Sequence, residues 1–299
     1  MGIKFARDNN TNEKYFNKVE VLLESLPYIK EYFNCIVVVK IGGSMMENDK
    51  VLQSVLDDLV LMKYVGIKVV LVHGGGKQIS TIMDEKGIKP KFVDGLRVTD
   101  EKVIDIAKMV LVGQVNSKIV SFLNKHGKVA IGVSGNDASF ITCKKKEYTR
   151  EGKAVDLGFV GEIEDINSDF LINILDDGYM PVIATLGVDG KGNIYNINAD
   201  TCASGIAIAL NSEKLICLTD VDGILKGDKL ISSISIDSCY GMIKGGNIDK
   251  GMIPKVEACI KAMENGVKRT HILNGTRKHS ILAEIFTDKG IGTMIVKED

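Results

Sequence analysis

Lys40 is the first residue whose setting asks for chemistry. It stands inside residues 36–44, I-V-V-V-K-I-G-G-S, an apolar run that reads as a buried strand ending on Gly42, Gly43 and Ser44. A buried lysine is costly unless an anion meets it. The same grammar returns at residues 69–79, V-V-L-V-H-G-G-G-K-Q-I. Each copy is strand, glycines, then helix. Glycine lets backbone approach a ligand closely, and the unpaired N–H groups at a helix start favour an anion. One such turn is common in α/β proteins for reasons of tight connection alone. Two of them, one preceded by a buried lysine, point to a ligand with several negative charges, phosphate first.

Three more residues join Lys40. Lys255 closes a glycine-bracketed loop, residues 245–255, that opens a helix. Asp200 follows Asn196-Ile197-Asn198-Ala199 and is either the N-cap of the next helix or part of a positioning site. Arg97 is the one cation in F-V-D-G-L-R-V-T-D, residues 92–100. It pairs with a protein carboxylate or with a carboxylate on a substrate, whose shape its fork matches. Asp220-Val221-Asp222-Gly223 is a turn at the carboxyl end of an apolar strand, where α/β sheets bind ligands. G-x-x-x-x-G-K-[ST] is absent, because Leu71 occupies the place of its first glycine, and so is G-x-G-x-x-G. A P-loop enzyme and an ordinary dinucleotide-binding domain both lose support.

The elements that must hold these residues alternate between strand and helix. Strands are predicted near residues 36–41, 69–73, 129–133, 181–186, 214–219, 269–273 and 292–296, with helices between most of them and hairpins over 138–165. That alternation predicts an α/β, three-layer αβα sandwich with a mostly parallel sheet. The 299 residues, 45% hydrophobic, suffice for one large domain or two lobes. Thirty-eight basic against 39 acidic residues leave no bulk nucleic-acid footprint. No apolar run is expected to reach membrane-spanning length, and the start lacks a signal-peptide core. Six scattered cysteines without a C-x-x-C pair, and four histidines without metal-ligand spacing, read as a reduced cytoplasmic protein with no metal site of its own.

With these residues in place, the chain resembles the amino acid kinase family over most of its length, from about Val19 to Val296. The resemblance rests on K-I-G-G-S, V-H-G-G-G, D-G-L-R-V-T, D-L-G-F-V-G-E, N-I-N-A-D, L-T-D-V-D-G and G-M-I-P-K-V. D-G-L-R-V-T and N-I-N-A-D point to the branch that phosphorylates N-acetyl-L-glutamate with ATP and Mg²⁺ on the route to arginine. The resemblance implies that Lys40 and Lys255 stabilise the transferring phosphoryl group and that Asp200 organises the two lysines. It makes Gly43, Gly74 and Gly75 backbone donors, and gives Arg97 and Asn196 the α-carboxylate end of the substrate. It sets ATP against Thr219, Asp220, Val221, Asp222, Gly223, Ile224, Asn247, Ile248 and Asp249, with Mg²⁺ held mainly by the nucleotide phosphates. It also implies an N-terminal helical extension over residues 1–34, a lobe for the acid and for dimerisation over 35–212, and an ATP lobe over 213–299.

The extension carries apolar residues at helical spacing, Tyr15, Val19, Leu22, Leu26, Ile29 and Phe33, interrupted by Pro27. This face packs on the molecule itself or on another subunit. A leading helix with L-P-Y-I resembles those of family members that assemble as hexamers, trimers of dimers, and are inhibited by L-arginine. The resemblance places the arginine site near Tyr28, His271, Glu284 and Gly290. Gly135-Asn136-Asp137-Ala138 departs from the family's G-K-D-G. Rival readings are a sibling kinase for a longer acidic substrate, since one methylene is worth only about 1–3 kcal/mol, and a non-catalytic arginine-sensing protein of the same fold.

Overall fold

The computed structural model describes residues 16, 19–288 and 290–297. Its centre is an eight-stranded sheet in the order Ser233–Ser235, Thr293–Val296, Arg269–Asn274, Lys214–Thr219, Ile36–Ile41, Lys68–His73, Met180–Ala184, Ala130–Ser134. Every pairing in it is parallel except that between Arg269–Asn274 and Thr293–Val296. The strands are continuous apolar runs because helices cover both faces, which leaves no solvent face to alternate toward. Alternate residues feed two cores. Val37, Val39 and Ile41 enter one, and Val38 enters the other.

Register sets the position of the chemistry. Lys40 lies level with Val72 on one neighbouring strand and with Cys217 on the other. All three strands end together there, so the two glycine turns and the turn after Thr219 share one edge. A smaller four-stranded sheet, Ile194–Asn196, Leu186–Val188, Ile141–Lys145 and Gly161–Ile166, lies beside it.

Several elements depart from the sequence-based expectation. The helix begun by Asp100, whose side chain caps Val103, runs through an eight-residue π-helical segment, Met109–Asn116, before Ser117–Leu123. A hairpin Leu225–Lys226/Lys229–Leu230, the strand Ser233–Ser235 and the helix Ile236–Lys244 lie between the Asp222-Gly223 turn and the glycine-bracketed loop, where the sequence pattern assigned no element. Contrary to expectation, one helical run, residues 101–126, is long and apolar enough to cross a membrane. Val103, Ile104, Ala107, Leu111, Ile119 and Leu123 on it are buried, the pattern of a core helix.

Near the start, residues 19–24 are helical, Ser25 is a turn, and Leu26–Tyr32 is a second helix with Pro27 in its first turn, where a missing N–H costs nothing. Val19, Leu22 and Leu26 stay exposed rather than packing on the molecule. Tyr15 and the rest of residues 1–15 lie outside the described residues.

Candidate active site

Asp200 sits in the first turn of the helix Ala199–Ala209, yet it is not the cap. Asn198 performs that task, accepting from the N–H groups of Asp200 and Thr201. The Asp200 carboxylate is thereby released to face the sheet edge. Its Oδ1 lies 2.7 Å from Lys40 Nζ and its Oδ2 3.6 Å from Lys255 Nζ. Lys40 and Asp200 are almost completely buried, and Lys255 less so. Burial by itself would raise the Asp200 pKa. The charge of Lys40, and after it that of Lys255, outweighs burial and holds the carboxyl below its ordinary range. Two cations share one carboxylate, so the trio carries a net positive charge toward the cleft.

Two compartments meet at this trio. The smaller, about 210 Å³, is lined by Lys40, Gly43, Gly75, Arg97, Asn196 and Asp200 among others. The larger, about 690 Å³, shares Lys40, Gly42, Gly43 and Arg97 and extends past Thr219, Asp220, Val221, Asp249 and Lys255. The second has about three times the volume of the first. Asp222 instead pairs with Arg277 at 2.7 Å and accepts from Asn274 at 2.8 Å. Ile224 and Ile248 are buried, and the Ile224 N–H donates to Thr293. Neither these two nor Gly223 and Asn247 line the larger compartment.

Arg97 forms no ion pair among the described residues. Its Nη2 donates to the Gly76 carbonyl at 2.6 Å and to Ser80 Oγ at 2.8 Å, and its guanidinium stacks 4.7 Å from the centre of the Phe92 ring. Only 7% exposed, it is a buried cation met by neutral groups, and burial lowers its pKa. Such a cation suits a ligand carboxylate.

The glycine turns are unequal. The Gly74 N–H donates to the Ile41 carbonyl at 3.2 Å, so it serves the sheet rather than a ligand, against expectation. The N–H groups of Gly43 and Gly75 have no acceptor among the described residues. A Cβ on Gly75 would lie 2.7 Å from Leu111 Cδ2, so the buried Leu111 side chain would have to shift to admit one.

A separate pocket of about 610 Å³ lies where the helix Leu26–Tyr32 meets the far half of the sheet. It gathers Tyr28, His271, Glu284 and Gly290 as the resemblance implied, and adds Lys214, Arg269 and Asp288, which sequence reasoning missed. Tyr28 Oη donates to Asp288. His271 Nδ1 lies 2.7 Å from Glu284 Oε1. Burial lowers the His271 pKa, so the ring is neutral and Nδ1 is the donor. That leaves Nε2 an acceptor, and it has no partner among the described residues. Lys214 is buried and lowered to about 8 by burial, with Glu284 opposing. In sequence it reads as the polar edge of a core strand, so only the fold reveals its place in this pocket.

The amino acid kinase family model matches residues 36–274. Acetylglutamate kinase of Archaeoglobus fulgidus is 50% identical over 285 residues, 93% of this chain and 98% of that protein. Acetylglutamate kinase of Thermoanaerobacter sp. is also 50% identical, with 94% of each chain covered. Among solved structures, N-acetylglutamate synthase of Neisseria gonorrhoeae complexed with coenzyme A and N-acetyl-glutamate superposes with a TM-score of 0.85 at 28% identity. That match covers 94% of this chain and 64% of the synthase. Carbamate kinase of Giardia lamblia, TM-score 0.63 at 19% identity, covering 89% of this chain and 99% of that one, shares the fold.

Proposed function

The chain belongs to the amino acid kinase family, and we propose that it moves the γ-phosphoryl group of ATP to the side-chain carboxylate of N-acetyl-L-glutamate. The products are N-acetylglutamyl 5-phosphate and ADP, on the route to arginine. One observation carries the reading: Asp200 bridges Lys40 and Lys255 where an acid-sized and a nucleotide-sized compartment meet.

The acid enters the smaller compartment, its α-carboxylate on Arg97 and Asn196, and its side chain aimed at Lys40. ATP occupies the larger one along Thr219, Asp220, Val221 and Asp249. The nucleophile is a carboxylate with an ordinary pKa near 4.3, already ionised at pH 7, so no general base is required. Its oxygen forms the new P–O bond as the bond from the γ-phosphorus to ADP breaks. What the protein supplies is alignment of two anions and neutralisation of charge on the moving phosphoryl group. Lys40, Lys255 and the N–H groups of Gly43 and Gly75 provide it. The carboxylate at the junction, Asp200, is taken up by Lys40 and Lys255, so Mg²⁺ would arrive on the ATP phosphates and would neutralise part of their charge there.

The pocket around His271 and Glu284 takes L-arginine as inhibitor. A guanidinium offers the donors that the unpartnered His271 Nε2 and the Glu284 carboxylate accept, and Lys214 is a cation for the amino acid's own carboxylate. The exposed apolar stripe Val19, Leu22 and Leu26 joins dimers into a hexamer. The enzyme works in the cytoplasm, with all six cysteines free. ADP release from MgATP, measured with N-acetyl-L-glutamate and with acids one methylene longer, with and without millimolar L-arginine, tests this. Faster turnover of the longer acid would replace the substrate, and indifference to arginine would remove the inhibitor.

A further inference from the structure

His73 is fully buried at the end of its strand and takes no part in the chemistry above. Its Nδ1 lies 3.0 Å from the Gly74 carbonyl oxygen. Its Nε2 lies 3.0 Å from Asn116 Nδ2, and that same Nδ2 donates to the Val182 carbonyl at 2.8 Å. The carbonyl of Val182 can only accept, so the amide orientation of Asn116 is determined and its nitrogen faces the ring. The proton placement follows from that network. Nε2 must accept, Nδ1 must carry the proton, and Nδ1–H donates to Gly74. Burial lowers the His73 pKa to about 4, which keeps the ring in this neutral form.

A trans peptide points its C=O and N–H in opposite directions. The Gly74 carbonyl and the Gly75 N–H belong to one peptide plane. Pinning that carbonyl on His73 therefore turns the Gly75 N–H away from the core, toward the cleft that Gly75 lines. The π-helical segment serves both ends of the arrangement. It brings Asn116 to the ring, and it presses Leu111 against Gly75. π-Helical insertions accumulate at functional sites, and here the segment has an identifiable task.

We propose that His73 and Asn116 are positioning residues for phosphoryl transfer, holding the Gly74–Gly75 peptide so that the Gly75 N–H meets the transferring phosphoryl group. The inference rests on Gly75 acting as a donor in the reaction proposed above. A misplacement of about 1 Å can cost up to roughly 10²-fold in rate.

The wild-type enzyme is tested first, by the ¹⁵N NMR signals of the His73 ring at neutral pH. A neutral ring protonated on Nδ1 is expected, and one protonated on Nε2 overturns the proposal whatever any variant does. Steady-state kinetics follow on His73→Leu, His73→Asn and Asn116→Ala. His73→Leu should lose roughly 10- to 100-fold in kcat with KM for MgATP within about twofold. His73→Asn, whose amide nitrogen can take the place of Nδ1, should recover most of that loss. A folded His73→Leu with wild-type kcat, or a His73→Asn as slow as His73→Leu, contradicts the role. Should His73→Leu fail to fold, Asn116→Ala and His73→Asn still decide it. Wild-type turnover of N-acetyl-L-glutamate is read separately, so failure of the reaction is distinguishable from failure of the positioning role.

Discussion

Lys40 and Asp200 meet at 2.7 Å, a lysine from a central strand against a carboxylate from the first turn of a neighbouring helix. The pair exists because Asn198 takes over the capping of that helix. With Lys255 on its other oxygen, Asp200 keeps two cations beside one another that would otherwise repel. Asp200→Asn keeps the shape and removes the charge that gathers them. We expect kcat to fall by roughly 10²-fold while MgATP still binds, checked by steady-state kinetics beside nucleotide titration. Wild-type kcat in this variant would show that the lysines need no organiser.

Arg97 is held by Gly76, Ser80 and Phe92 and forms no direct ion pair among the described residues, with the Asp84 carboxylate acting on it only through its charge. Arg97→Lys keeps the charge and loses the planar fork. The loss of a charged hydrogen bond is worth about 1.5–3 kcal/mol. KM for N-acetyl-L-glutamate should therefore rise by roughly 10- to 100-fold, with KM for MgATP little changed. Equal changes in both would place Arg97 outside the acid's compartment.

Ala138 adopts φ +49°, in the left-handed region, where the resembling family has glycine. An L-residue there costs roughly 1–2 kcal/mol, partly offset by the greater unfolded-state freedom that glycine would bring. Ala138→Gly should stabilise the protein by about 1 kcal/mol at most, read from urea midpoints. A destabilised variant would mean that the Ala138 methyl group makes contacts worth more than the strain.

The cast of the site was legible from chemistry that leaves local marks. A lysine in an apolar strand, doubled glycine turns and one arginine in a turn-rich stretch each break a pattern, and the structure brings Lys40, Gly43, Gly75, Arg97, Asn196 and Asp200 around one cavity. What stayed hidden depends on distant neighbours. Lys214 reads as the polar edge of a core strand until the fold sets it beside Glu284 and Arg269. Gly74 looks like its neighbour Gly75, yet sheet register commits its N–H to Ile41. The π-helical turn over residues 109–116 keeps an ordinary apolar helical pattern, because the extra residue per turn is imposed by packing rather than by propensity.

His73 also gives the fold an acid weakness. Its pKa is lowered by burial from 6.5 to about 4, with the Gly74 carbonyl opposing the shift. A lowered folded-state pKa means that the unfolded chain binds the proton first as pH drops. The contribution is complete above about pH 6.5 and is lost on the way down to about pH 4, amounting to about 3 kcal/mol. Urea midpoints between pH 7 and pH 4.5 should fall more steeply for the wild type than for His73→Asn. Parallel curves would contradict a neutral buried His73.

The most direct measurement is of the acyl phosphate itself. Hydroxylamine added to enzyme, MgATP and N-acetyl-L-glutamate converts the acyl phosphate into a hydroxamate and inorganic phosphate. Wild type should accumulate hydroxamate in step with ADP, and Lys40→Ala should do so roughly 10²–10³ times more slowly. ADP without hydroxamate, or a Lys40→Ala variant as fast as wild type, would contradict a carboxylate acceptor or the role of the Lys40–Asp200 pair.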